Sequence, residues 1–169
     1  MTKDQRIVAT GAATGVASVA LVVWALSNLF PAPIALDTSD RIALAARWLA
    51  VAVLPLFAML ATVGNARFLS EAIDPTLGKE SERMIVDGRV ADNTLQQFVV
   101  FEVALLALSV TLPARSLSVI PAVAIAFIVA RMVFWIGYRI HPLYRAPGFA
   151  GTAYLNLAML IASICLWLR

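Results

Sequence analysis

The sequence predicts an all-α integral membrane protein with five transmembrane spans. Two observations carry that prediction. The chain of 169 residues is 62% hydrophobic and only 14% charged, with a mean hydropathy of +0.88. A soluble domain is about half apolar and about a quarter charged, so part of the solvent of this chain is lipid. The second observation is periodic. Spanning the hydrocarbon takes about 20 apolar helical residues, and segments near 7–30, 42–66, 94–112, 118–138 and 149–168 approach that length.

The first segment has an apolar core longer than the roughly 7–15 residues of a secretory h-region, so it reads as a span rather than a cleaved signal. Pro31 and Pro33 stop it, and Asp37-Thr38-Ser39-Asp40 supplies caps for the second. Pro55 falls inside the second span as a kink that neighbouring helices tolerate. Pro113 ends the third span, Pro121 stands near the start of the fourth, and Pro142 and Pro147 break the chain before the fifth. The one sizeable connection, 67–92, reads as a loop rich in both charge signs.

Lysine and arginine orient the spans. Lys3, Arg6, Arg67, Lys79, Arg83, Arg89, Arg139 and Arg145 fall on one side, and Arg41, Arg47, Arg115 and Arg169 on the other. The expected location is a bacterial inner membrane, with the N-terminus cytoplasmic and the C-terminus outside. Trp48, Trp135 and Trp167 stand near span ends, as interfacial anchors do. The net charge of +3 does not mark a nucleic-acid binder, because its basic residues are scattered among apolar spans. A single cysteine, Cys165, excludes an internal disulfide, and its apolar run LIASICLWL reads it as an inert small hydrophobe. His141 is the only histidine, so no metal site is expected. The absence of an internal repeat and the few intramembrane charges argue against a transporter.

Ionisable side chains within spans are costly and are candidates for function. Arg131 and Glu102 are the two here. Arg89, Asn93 and Gln96 fall within about 60° on one helical face, and Arg131 shares a face with Tyr138 seven residues on. Two successive helices therefore present polar stripes near one membrane boundary. Such a set either satisfies itself as helix–helix glue or receives a small anionic ligand, which Arg grips by its fork of donors. Glu102 lies about 180° from Asn93 and is expected to face another helix or a neighbouring subunit.

The ordered residues Arg89-x-x-x-Asn93-x-x-Gln96 and Arg131, Tyr138 and Arg145, carried by ARMVFWIGYRIHPLYR, resemble the MAPEG superfamily. These are membrane-associated proteins of eicosanoid and glutathione metabolism, and the resemblance runs over about 42–168. It implies a four-helix bundle at 42–169, from which this chain departs by an extra N-terminal transmembrane helix and linker at 1–41. It further implies a homotrimer that binds glutathione between subunits on the cytoplasmic side and acts on small lipophilic substrates drawn from the membrane lipids. Arg89 would grip a glutathione carboxylate, Asn93 its peptide backbone, and Gln96, Arg131 and Tyr138 would line or border the pocket. Arg145 would be catalytic, stabilising the thiolate.

The departures define an alternative. Many active members carry Glu at the position of Gln96, and Gln97 and Phe134 replace tyrosines at two further lining positions. The runs NTLQQFVVFEVALLALSVTLPARSLSVIP and YRAPGFAG are also similar to the mattrin-like branch, which has more spans and no established glutathione chemistry. The sequence thus predicts a glutathione-dependent transferase or peroxidase. Its alternative is a non-catalytic membrane protein that uses the same pocket for a lipid or another small ligand.

Overall fold

The computed structural model describes residues 1–31 and 36–169. Its long elements are α1 (Lys3–Leu29), α2 (Thr38–Ala52), α3 (Leu54–Phe68), α4 (Glu82–Thr111), α5 (Val119–Ile140) and α6 (Ala146–Trp167), and no strand occurs among the described residues. Five units are long and apolar enough to cross a membrane, α2 and α3 together making the second. The protein is an integral membrane protein of five antiparallel spans.

Local chemistry sets the ends. Thr2 and Gln5 form a reciprocal capping box that starts α1. The helix closes before Pro31, while the stop expected of Pro33 lies outside the described residues. Asp37 caps α2 by accepting the Asp40 N–H at 2.8 Å. That bond, with the Ser39 hydroxyl second, holds the Asp37 carboxyl below its ordinary range. The second span divides at Val53, two residues before Pro55. Proline has no N–H to give and sits in the first turn of α3, where none is needed. Pro147 likewise starts α6 rather than breaking the chain before it.

The structure corrects one boundary substantially. The segment expected as a loop over 67–92 is half helix, because α4 begins at Glu82, twelve residues before Thr94. Ser81 caps it by accepting the Met84 N–H, and Met84, Asp87, Val90 and Ala91 are buried. Apart from Asp87, the charges that make this stretch of α4 look like a loop, Glu82, Arg83, Arg89 and Asp92, stay exposed, as on an amphipathic helix. What remains of the loop is tied down by Arg67–Glu80 at 2.6 Å and Lys79–Glu71 at 3.2 Å.

Packing differs along the bundle axis. Toward the end that holds the 112–118 connection, α2, α4, α5 and α6 interdigitate through Ala45, Ala52, Leu105, Ile120, Leu155 and Met159. Phe101 stacks on Phe127 there, with ring centroids 4.3 Å apart. The end that holds the 69–81 segment and the turn after α5, called the loop end below, has a smaller cluster of Met59, Val90, Ala91, Phe134 and Tyr138. The extra helix α1 lies on the outside, against α6 and α5. Its seat is Gly15: a Cβ there would stand 2.0 Å from the Pro147 carbonyl oxygen, so only glycine lets the two backbones approach so closely.

Candidate functional site

The turn between α5 and α6 brings the site together. His141 ends α5, and its Nδ1 accepts the Leu143 N–H at 3.2 Å, which starts the short turn Pro142–Arg145. That turn folds back onto α5 over Gly137, where a Cβ would meet the Tyr144 carbonyl oxygen at 2.3 Å. The return places Arg145 beside Tyr138. Arg145 Nη1 donates to the Tyr138 hydroxyl at 3.0 Å, and the guanidinium lies 5.0 Å from the ring centroid. His141 therefore acts as a cap in a turn that presents Arg145.

Arg131 is 0% exposed, two helical turns deeper on α5 than Tyr138. Its Nη1 donates to Asn93 Oδ1 at 3.0 Å and its Nη2 to the Gly148 carbonyl at 3.3 Å. Its guanidinium also covers the Phe134 ring at 4.3 Å. Among the described residues the Nε–H has no partner, and no carboxylate is paired with this arginine. One side chain thus links α4, α5 and α6 behind the site and fixes the amide of Asn93.

A third arrangement anchors the loop end of α4 to α5. Asp87 receives Arg139 Nε and Nη2, both at 2.7 Å, and Trp135 Nε1 at 2.8 Å. The Arg139 guanidinium also lies over the Trp135 ring, 4.6 Å from its centroid. Trp135 is therefore a hydrogen-bond donor within the bundle as well as a residue at a span end. Asp87 escapes sequence reading because its segment reads as loop. The signal that could have found it is the apolar period of Met84, Val90 and Ala91 around it.

Between these arrangements lies a cavity of ≈ 320 Å³, lined by Arg89, Asn93, Phe134, Tyr138, Arg145 and Phe149. Four sequence-derived candidates, Arg89, Asn93, Tyr138 and Arg145, meet in it. Arg131 stands one layer behind, acting through Asn93. Gln96 does not line it: it is exposed on the outer surface of α4. Gln97 is turned away as well, accepting Asn156 Nδ2 through its side chain at 3.0 Å. Phe134 does line the space, and Phe149, which the sequence did not single out, closes it from α6. Glu102 is exposed on the surface of α4 and forms none of the ion pairs among the described residues. Cys165 is exposed on α6.

The lining holds two guanidinium groups, an amide, a phenol and two aromatic faces, and no carboxylate. Positive charge beside apolar walls suits an anion with an extended hydrogen-bonding frame. Because Arg145 donates to the Tyr138 oxygen, the phenolic hydrogen is free to donate into the cavity.

No curated protein and no solved structure matches the chain. The profile of the MAPEG family matches residues 45–165, from the middle of α2 to the last turn of α6, and leaves α1 outside. The chain belongs to the MAPEG family.

Proposed function

We propose that the cavity binds glutathione and activates its thiol for attack on lipophilic electrophiles, which makes the protein a membrane glutathione transferase or peroxidase. The observation that carries this reading is the convergence of Arg89, Asn93, Tyr138 and Arg145 on one cavity within a chain of the MAPEG family. Its ≈ 320 Å³ falls at the small end of the roughly 300–1,000 Å³ of small-molecule sites. In this reading Arg89 takes a ligand carboxylate, and Asn93, held by Arg131, donates to and accepts from the peptide frame. Arg145 is the catalytic residue. A free thiol with a pKa of about 8.5 is largely unreactive at neutral pH, and an adjacent guanidinium stabilises the thiolate.

The proposal includes a homotrimer in a bacterial inner membrane, with the loop end facing the cytoplasm. The excess of Lys and Arg at that end supports this orientation. A neighbouring copy would close the open side of the cavity, and the outward position of Gln96 suits a contact with a ligand held by that neighbour.

The test is calorimetry on the detergent-purified protein with glutathione, beside Arg89→Ala. Saturable binding that weakens in the variant supports the reading, and no heat at millimolar glutathione overturns it. The lack of any carboxylate in the lining, where a glutathione ammonium needs one, favours a second reading. In it the cavity holds a lipid headgroup or another anion and does no glutathione chemistry. Displacement of a bound anionic lipid without any glutathione binding would support that alternative.

A further inference from the structure

We infer that α1, the helix outside the matched region, builds one wall of a groove for the apolar chain of the second substrate. This inference rests on the glutathione reading for its chemistry and on independent geometry for its location. Arg145 and Phe149 line the polar cavity on one side and a second cavity of ≈ 320 Å³ on the other. The second cavity lies between α1 and α6, with Val8 and Ala12 facing Ala153 and Tyr154. Past Tyr154 the space continues as a cavity of ≈ 340 Å³ between the same two helices, reaching Val19 and Ala158. From Arg145 to Ala158 the groove follows α6 for about 20 Å, and its walls are almost wholly apolar.

The position of the wall is fixed. Gly15 sits on the Pro147 backbone, and Gly11 is close to Ala146 and Pro147. That contact holds Val8 and Ala12, one turn away on the same face of α1, over the start of α6. The groove therefore begins at the catalytic arginine and ends deep among membrane-spanning residues.

A ligand that fits is linear and apolar, up to about 13–16 carbons long at roughly 1.25–1.5 Å per carbon along an extended chain, with an electrophilic carbon at the Arg145 end. A 2-alkenal is one such molecule. The thiolate sulfur forms a bond to the β-carbon with its lone pair, and the carbon–carbon π pair shifts toward the carbonyl as an enolate. A proton from water then completes the addition at the α-carbon. No oxidant, reductant or leaving group is required.

The test uses two probes on the full chain in detergent: 2-decenal as substrate, and a ten-carbon alkanol with a diazirine at its tail as photolabel. Ala12→Phe fills the groove from α1, and Ala153→Phe fills it independently from α6. The expected result is photolabel on the groove-lining Val16, Val19, Val23, Leu155 and Ala158 in the parent protein, lost in both variants. The KM for 2-decenal should rise about tenfold, as for a blocked apolar subsite, with glutathione affinity unchanged. Label spread over outward residues such as Leu21 and Ile161, equal in parent and variants, together with an unchanged KM, would overturn the inference. Groove labelling in a protein that binds no glutathione would sink the transferase reading and leave the groove standing. Turnover with groove-independent labelling would do the reverse. If either variant fails to fold, the other and the parent's labelling map decide.

Discussion

The two halves of the bundle are held by different physics. Away from the loop end, Phe101, Phe127, Leu105, Ile120 and Met159 fill space against one another, and the polar atoms there mostly satisfy their own helix, as Ser163 does by donating to the Met159 carbonyl at 2.8 Å. At the loop end the apolar cluster is small, and three arginines join the helices instead: Arg131 to Asn93 and Gly148, Arg139 to Asp87, and Arg145 to Tyr138. In lipid, helices gain little from hydrophobic transfer, so packing and interhelical hydrogen bonds decide association. The apolar half supplies the packing. The polar half trades it for interhelical hydrogen bonds around a cavity.

That contrast can be broken from either side. The largest stability loss should come from the apolar half: Phe101→Ala removes a buried stacked ring and should cost about 3 kcal/mol. Thermal unfolding in detergent reads it, and ligand affinity should stay the same. Asp87→Ala leaves Arg139 and Trp135 without their acceptor. With Arg139 side chain 29% exposed, water compensates part of the loss, and about 2 kcal/mol is expected. Here stability and ligand affinity should fall together, since the brace holds α4 beside the cavity.

Arg131→Met separates the two quantities. Replacing a buried charge by a flexible apolar side chain is often neutral or stabilising, so unfolding should occur at the same temperature or higher. Binding should weaken about tenfold, or about 1.4 kcal/mol, as Asn93 loses its tether. A large loss of stability would instead mean that this arginine is chiefly structural glue. The smallest effect is expected for Gln96→Glu. If Gln96 meets the ligand of a neighbouring copy, a charge-assisted contact should tighten glutathione by a few fold, measured by the same titration. An unchanged affinity would remove Gln96 from the site.

Much of this architecture was legible before the coordinates. The spans follow from apolar runs of sufficient length, and their ends from Pro31, Asp37 and Pro113. Arg89, Asn93, Tyr138 and Arg145 could be grouped because family spacing links residues that the α5–α6 turn later brings together. What the sequence hid has physical reasons. Arg131 takes one of its acceptors from the backbone of Gly148, and a carbonyl leaves no mark in composition. The first turns of α4 carry enough charge to read as loop until the burial of Asp87 shows which face is inside. Gln96 shares an azimuth with Arg89, but it is two turns further along and too short to reach back to the cavity. The seat of α1 depends on Gly15 meeting Pro147, a long-range contact between two small features that no local pattern signals.

The central claim is that Arg145 holds glutathione as a thiolate in this cavity. Ultraviolet difference spectroscopy at neutral pH tests it directly, by adding glutathione to the parent protein and to Arg145→Ala in detergent. The account predicts a saturable thiolate absorbance with the parent, absent in the variant while glutathione still binds through Arg89. No thiolate signal in the parent, or the same signal in both proteins, would contradict it.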